Sequence, residues 1–234
     1  MGLRSGRTIR GDLIRAARNP GLAWSYVRRW ALLARFAGLP YAEVRRFRRE
    51  LIGDQSFQSH LERGLGEARG GFGRAAELYV VVRAAKPETM VETGVASGVS
   101  SAHILQAMAK NGKGTLHSVD LPNAAAGAQI PEGRGAGWII PEALRSRWRL
   151  SLGDSREILP RVLDGLPAVD VFFHDSDHSY ESMMLEFEAA LPKVRSGGLI
   201  LSDDTHYHRA WDDFCAKHAL PPTRVVHMGL TKKP

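Results

Sequence analysis

From residue 74 onward, short apolar runs alternate with amphipathic stretches, and apolar run after apolar run ends in an acid. "TMVETGV", "GTLHSVDL", "WRLSLGDS", "AVDVFFHDSD" and "GGLILSDD" read as strands. "RAAELYVVVRAAK", "SSAHILQAMAK", "REILPRVLDG", "YESMMLEFEAALPKV" and "YHRAWDDFCAKHA" read as the helices between and around them, and "TRVVHM" and "GLTKKP" as closing strands. In the fourth of these helices, Met184, Phe187, Leu191 and Val194 are expected on one apolar face. Strands alternating with helices at this pitch imply an α/β fold, a largely parallel sheet covered on both faces. Glu92, Asp120, Asp154, Asp175, Asp203 and Asp204 then gather along one edge, beyond the carboxyl ends of the strands. Ligands of open α/β sheets bind there.

The N-terminal part has another character. Residues 1–50 hold twelve arginines against Asp12, Glu43 and Glu50, a net of +9, so with +7 overall the remainder carries −2. Residues 7–36 read as one or two helices broken at Asn19-Pro20, with Ile14, Tyr26, Trp30, Leu33 and Phe36 forming an apolar face. Residues 41–51 read as a further helix, "GDQSF" and "RGGFG" as loops, and "QSHLERGLGEA" as ambiguous. The expected division is a basic helical extension over 1–73 and a ligand-binding domain over 74–234, with cofactor binding independent of the extension. The arginines suit a solvated helix face, an anionic membrane surface, nucleic acid or an acidic partner. A single cysteine, Cys215, leaves no internal disulfide or cysteine-based zinc cluster and suits a reducing, cytoplasmic setting. No run of eighteen apolar residues is present.

The sharpest motif is "ETGVASG" at 92–98. Gly94 allows an unusual turn, and Gly98 allows close approach to the backbone at a helix start. Asp120 closes the next strand, where an acid accepts both hydroxyls of a ribose. Asp154 closes the third, within reach of an adenine amino group. A pyrophosphate site would not place an acid at Glu92, whereas a cationic ligand would be helped by one. Together these residues resemble the class I S-adenosylmethionine-dependent methyltransferases, over roughly residues 60–234. The resemblance implies a Rossmann-like seven-stranded sheet with helices on both faces. It assigns the methionine part of the cofactor to Glu92, Gly94, Ser97 and Gly98, the ribose to Asp120 and Leu121, and the adenine side to Gly153, Asp154 and Ser155, with Asp175 also beside the cofactor.

"DVFFHDSDHSYESMMLEFEAALPKVRSGGLILSDD" resembles the small-molecule O-methyltransferase branch, including bacterial members with a D-x-D-H-S-Y pattern and the metal-dependent catechol-type enzymes. That likeness implies Mg²⁺ held by Asp175, Asp203 and Asp204, with Asp177 competing for the first place. Three oxygen ligands with room for water suit Mg²⁺, which would acidify an acceptor hydroxyl. It also implies a general base at His178, with Asp175 beside it. His206, His208 and Trp211 are expected to line the acceptor pocket, to serve as further ligands, or simply to pack. Ser100 and Ser101 are expected to cap the helix after the glycine loop. Residues 122–147, rich in Pro, Gly and Ala, fall at the ligand edge and are expected to form a mobile lid through Trp138, Ile139 and Ile140.

The implied activity is methyl transfer to an oxygen of a small molecule or sugar, with a carboxyl- or N-methyltransferase as the alternative on the same fold. Nucleic acid is not the expected acceptor, because "HDSDHSY" stands where base-amine enzymes carry an Asn-Pro-Pro-Tyr type motif. Assembly into homo-oligomers and peripheral membrane contact by the basic N-terminus remain open.

Overall fold

The computed structural model describes residues 20–67, 75–122, 130 and 133–234. In chain order these form α1 (Pro20–Ala37), α2 (Tyr41–Gly53), α3 (Gln55–Glu67), α4 (Ala76–Ala85), β1 (Thr89–Thr93), α5 (Val99–Asn111), β2 (Thr115–Asp120), a 3-10 turn (Glu142–Arg147), β3 (Trp148–Leu152), α6 (Ser155–Asp164), β4 (Val169–His174), α7 (Tyr180–Ala190), β5 (Val194–Ser202), α8 (Ala210–Lys217), β6 (Thr223–Val225) and β7 (Met228–Lys232).

The seven strands make one sheet in the order β3-β2-β1-β4-β5-β7-β6. β1 pairs in parallel with β2 and with β4, and the closing hairpin β6-β7 joins β5 antiparallel. The chain steps outward from β1 through β2 and β3, then returns to place β4 on the other side of β1. That reversal between β1 and β4 opens a crevice beyond their carboxyl ends, where such sheets bind ligands. β1 and β4 read as apolar runs because both of their faces are covered. Met90, Val91, Val171 and Phe172 are fully buried.

Two apolar layers flank the sheet. One contains Val91, Val119, Phe172, Met183, Phe187, Ala190, Trp211 and Phe214. On α7 the buried face is therefore Met183, Phe187 and Ala190, with Met184 and Leu191 only partly covered. The expected face is displaced: Met183, Phe187 and Ala190 at i, i+4, i+7 are the buried set, and Val194 already belongs to β5. Trp211, expected near an acceptor, is fully buried in this layer, and so is Cys215, whose thiol burial pushes up to about 12.

The other layer joins Trp30, Leu33, Val44, Phe47, Leu51, Phe57 and Leu61 to Tyr79, Val82, Ile104 and Leu105. One apolar cluster thus crosses the expected boundary at 73/74, and the N-terminal helices complete the cover over this face of the sheet. Removing residues 1–36 would strip Trp30 and Leu33 out of that cluster. "GDQSF" is not a loop either. Gly53 ends α2, and the Asp54 carboxylate accepts from the Phe57 amide at 3.2 Å, starting α3 after a single residue. The ambiguous stretch "QSHLERGLGEA" is helical through Glu67. Ile14, the rest of residues 7–19 and "RGGFG" lie outside the described residues.

Several of the arginines are held internally. Arg83 bonds both Glu50 oxygens, at 2.7 and 3.1 Å, and Asn111; Tyr79 donates to the same Glu50 at 2.5 Å. Arg29 pairs with Glu77 at 2.9 Å, and guanidinium groups of Arg28, Arg48 and Arg46 lie over Trp24, Trp30 and Phe47. Such stacking places the charge along apolar surface. No helix among the described residues is long and apolar enough to cross a membrane.

Candidate active site

The turn after β1 is built by close contacts. Gly94 has φ +83, and a Cβ there would lie 2.0 Å from the Asp175 carbonyl oxygen. Only glycine lets this turn meet the end of β4. Gly98, with φ +95, is equally constrained, but by the protein itself: a Cβ would meet the Gly137 Cα at 2.7 Å. The Gly137 amide donates to the Ala96 carbonyl at 2.9 Å and the Ile139 amide to the Ser97 carbonyl at 3.1 Å. Residues 136–140 are thus stitched onto the cofactor turn, and Ala136, Ile139, Ile140 and Leu144 are buried in the core. The expected mobile lid is, over 136–147, a packed wall. Gly98 makes room for that wall, and Ser97 is buried beside it.

Glu92 is also not where the motif suggested. Its side chain is completely buried and receives hydrogen bonds from the Ser100, Ser101 and Ser118 hydroxyls at 2.7, 2.6 and 2.9 Å. Burial, outweighing these bonds, raises its pKa to about 7. The acid is a structural pin between β1, β2 and the first turn of α5, not a group facing a cationic ligand. Ser100 and Ser101 serve it rather than cap the helix, which starts from Gly98 without a side-chain cap.

Asp120 lies at the crevice. One carboxylate oxygen accepts from the Ala96 amide and the other from the Leu121 amide, each at 2.9 Å. Burial nonetheless raises its pKa, against these backbone bonds. The Val95 backbone also hydrogen-bonds to this carboxylate. Beside it, at the ends of neighbouring strands, Leu121 and Leu152 expose apolar side chains, 37% and 49% accessible. A half-buried carboxylate flanked by two exposed leucines fits a nucleoside: the acid matches a ribose diol and the leucines match an apolar ring face. The Asp154 carboxylate caps α6 through the Arg156 amide at 2.9 Å. Gly153 lies between these groups, its amide donating to the Asp120 carbonyl at 2.8 Å. Ser155, at the start of α6, turns its hydroxyl toward Glu186.

At the end of β4, His178 places Nε2 3.8 Å from Asp175 Oδ1. Burial first, and the neighbouring His174 second, hold its pKa well below the usual histidine value, so the ring is neutral at pH 7. Behind it lies a network that the sequence reading missed. His174 Nδ1 is 2.6 Å from Glu186 Oε2, both side chains are fully buried, and the His174 and His178 rings meet edge to face at 5.3 Å. Thr93 and Ser176 donate to the same glutamate at 2.5 and 2.7 Å. Burial works against the Glu186 charge, but these bonds prevail and lower its pKa. The signal was an acid beside Phe187 on the apolar face of α7. Asp177 is occupied by the Ser179 amide and hydroxyl, at 3.2 and 2.7 Å, and so organises the loop before α7. His208 approaches the His178 carbonyl at 2.5 Å through Nε2 and accepts from the Ala210 amide through Nδ1.

The expected Mg²⁺ site of Asp175, Asp203 and Asp204 is not assembled. Among the described residues, the group whose ligand atoms all approach within 4.8 Å is Asp204, His206 and His227. Asp175 turns toward His178, and consecutive residues leaving an extended strand direct their side chains to opposite sides. Asp204 departs further, with φ +49. Among the described residues the three carboxylates are not drawn into such a group, and no step is routed through magnesium.

Comparison with known proteins agrees with this architecture. Residues 91–205 match the family model described as a methyltransferase domain. The fold resembles S-adenosylhomocysteine-bound methyltransferase PaMTH1 of Podospora anserina, at 12% identity and TM-score 0.55, over 76% of this chain and 87% of that one. It resembles an O-methyltransferase of Bacillus cereus in complex with S-adenosylhomocysteine, at 14% and 0.53, over 77% and 91%. It also resembles a candidate caffeoyl-CoA O-methyltransferase of Staphylococcus aureus, at 14% and 0.58, over 80% and 99%. No curated protein matches the sequence. The strand order and the matched segment give the chain a methyltransferase domain on a Rossmann-like seven-stranded fold.

Asp120→Ala is expected to weaken S-adenosylmethionine binding by roughly 1.5–3 kcal/mol, the loss of a charged hydrogen-bond partner. Titration calorimetry measures it, with Asp120→Asn separating loss of charge from loosening of the turn held through Ala96. Wild-type affinity in both variants would remove the ribose assignment.

Proposed function

We propose that the protein methylates a hydroxyl oxygen of a small molecule or sugar, with His178 removing the proton. S-adenosylmethionine, when bound, supplies an electrophilic methyl group on a sulfonium centre. Asp120 holds the ribose, and Leu121 and Leu152 take the adenine faces. The wall at 136–140 fixes the turn against which the cofactor lies. Asp175 orients the imidazole, and Glu186 with His174 fixes the loop that carries it. Alignment of acceptor and methyl donor supplies most of the acceleration.

The observation that carries this reading is His178 itself. A neutral imidazole stands at the carboxyl end of β4, partly open to the crevice and next to a carboxylate. Two of the structurally similar proteins are described as O-methyltransferases, which supports oxygen as the acceptor atom. A second reading is a metal-independent enzyme acting on a carboxylate or an amine, which needs neither a base nor the three carboxylates to hold a metal.

The test is cofactor consumption across phenols, sugars, amines and carboxylic acids, each with and without EDTA. Turnover with a hydroxyl acceptor is the expected result. Turnover confined to carboxylic acids or amines would replace it with the second reading.

A further inference from the structure

Beyond the methyl-transfer reading, and independent of it, we propose that Asp204, His206 and His227 form a binding site for a transition-type divalent cation such as Zn²⁺ or Co²⁺. One carboxylate oxygen and two imidazole nitrogens all lie within 4.8 Å of one another. His206 Nδ1 is 3.7 Å from Asp204 Oδ1, and the His206 and His227 rings are 4.4 Å apart. A tetrahedral centre with bonds of about 2.1 Å places its ligands ~3.4 Å apart, so small side-chain adjustments close this set.

The ligands come from two segments that the fold locks together. Asp204 and His206 follow β5, and His227 sits in the β6-β7 turn. The Thr205 amide and hydroxyl both donate to the His227 carbonyl, at 3.1 and 3.0 Å. Both segments carry backbone strain at the site: Asp204 has φ +49, and the β-branched Val226 has φ +61. Such conformations cost of order 1–3 kcal/mol each and concentrate at functional sites. Sequence adjacency cannot explain the convergence, because 21 positions separate His206 from His227.

The donor set selects the metal. Two imidazoles and one carboxylate suit zinc and its transition-metal neighbours, whereas magnesium prefers an all-oxygen shell. Three protein ligands leave a position for water or a ligand oxygen. Asp204 is buried while His206 is exposed, so the site opens to solvent on the His206 side. Tyr207 stacks on His206 at 4.5 Å and lies 6.0 Å from the His178 ring, and the Asp204 carboxylate acts on His178 directly through its charge.

The experiment uses the full chain, stripped with EDTA, dialysed and kept free of S-adenosylmethionine. Zn²⁺ and Co²⁺ binding is followed by calorimetry and by the visible d–d spectrum of Co²⁺, with Mg²⁺ as the comparison. One equivalent should bind, with Mg²⁺ much weaker. His206→Ala, at an exposed position, and His227→Ala should each weaken binding by ~10-fold or more. His218→Ala, at the far end of α8, should leave it unchanged. Absence of stoichiometric binding to the folded wild type, or unchanged affinity in both ligand variants, would overturn the site. Because no acceptor or cofactor is present, failure here leaves the methyl-transfer reading untouched.

Discussion

Replacing His178 by alanine is expected to slow methyl transfer by ~10²–10⁴-fold, the usual worth of a positioned general base. Cofactor affinity should stay near the wild-type value, because Asp120, Leu121 and Leu152, assigned to the adenosine, lie at the ends of β2 and β3 and not at the end of β4. The deficit should shrink as pH rises toward the acceptor's own pKa, where a hydroxyl ionises without help. Burial and His174 keep the wild-type imidazole unprotonated through the neutral range, so the wild-type rate should hold steady there and fall only on acidification. Single-turnover measurements across pH read both effects. A variant with wild-type single-turnover rates would show that the acceptor arrives already nucleophilic.

The second large effect is on stability. Burial raises the Glu92 pKa from 4.5 to about 7 in the folded chain. Between those values the folded state binds more protons than the unfolded one, so stability falls as pH rises. The contribution is fully present below about pH 4.5 and lost through pH 7, a change of about 3 kcal/mol at roughly 1.4 kcal/mol per pKa unit. Glu92→Gln keeps the shape and removes the titration. Urea denaturation should give similar stabilities for variant and wild type at low pH, with the variant gaining relative to wild type by up to about 3 kcal/mol above pH 7. Parallel curves across pH would mean that Glu92 stays charged inside the protein. His103 works in the opposite sense. Burial lowers its pKa to about 4, so its share of stability is present above 6.5 and lost as pH falls toward 4. It affects both proteins equally and cancels in the difference.

Much of the fold was legible because hydrophobic periodicity reports local geometry directly. Strand runs ending in Glu92, Asp120, Asp175 and Asp203 gave the parallel sheet and its ligand edge, and the structure has that sheet. What failed was whatever depends on which side of a turn a side chain takes. Glu92 heads the most recognisable motif yet points into the protein, because three serine hydroxyls from 100, 101 and 118 converge on it. Two of those look like ordinary helix-start residues in the sequence. Gly98 looked like a ligand contact, but the space is filled by Gly137, about 40 positions away. No local pattern announces such a contact.

The same applies to the acids and histidines beyond β5. Sequence spacing offered Asp175, Asp203 and Asp204 as a set, while the fold brings Asp204 to His206 and His227. Residue His227 lies in a hairpin turn whose pairing is set by antiparallel addition to β5. The Glu186–His174 pair was missed for a similar reason: an acid on a helix reads as solvent-facing until the neighbouring Phe187 is seen to be fully buried.

The central claim is that the crevice bounded by Asp120, Leu121, Leu152 and the turn at Gly94 holds the methyl donor facing His178. A crystal structure of the chain with S-adenosylhomocysteine tests it most directly. The expected result is both ribose hydroxyls within hydrogen-bond distance of the Asp120 carboxylate, the adenine between Leu121 and Leu152, and the sulfur on the side of the crevice lined by Asp175 and His178. Density for the ligand elsewhere on the protein, or a ribose bound without Asp120, would contradict it.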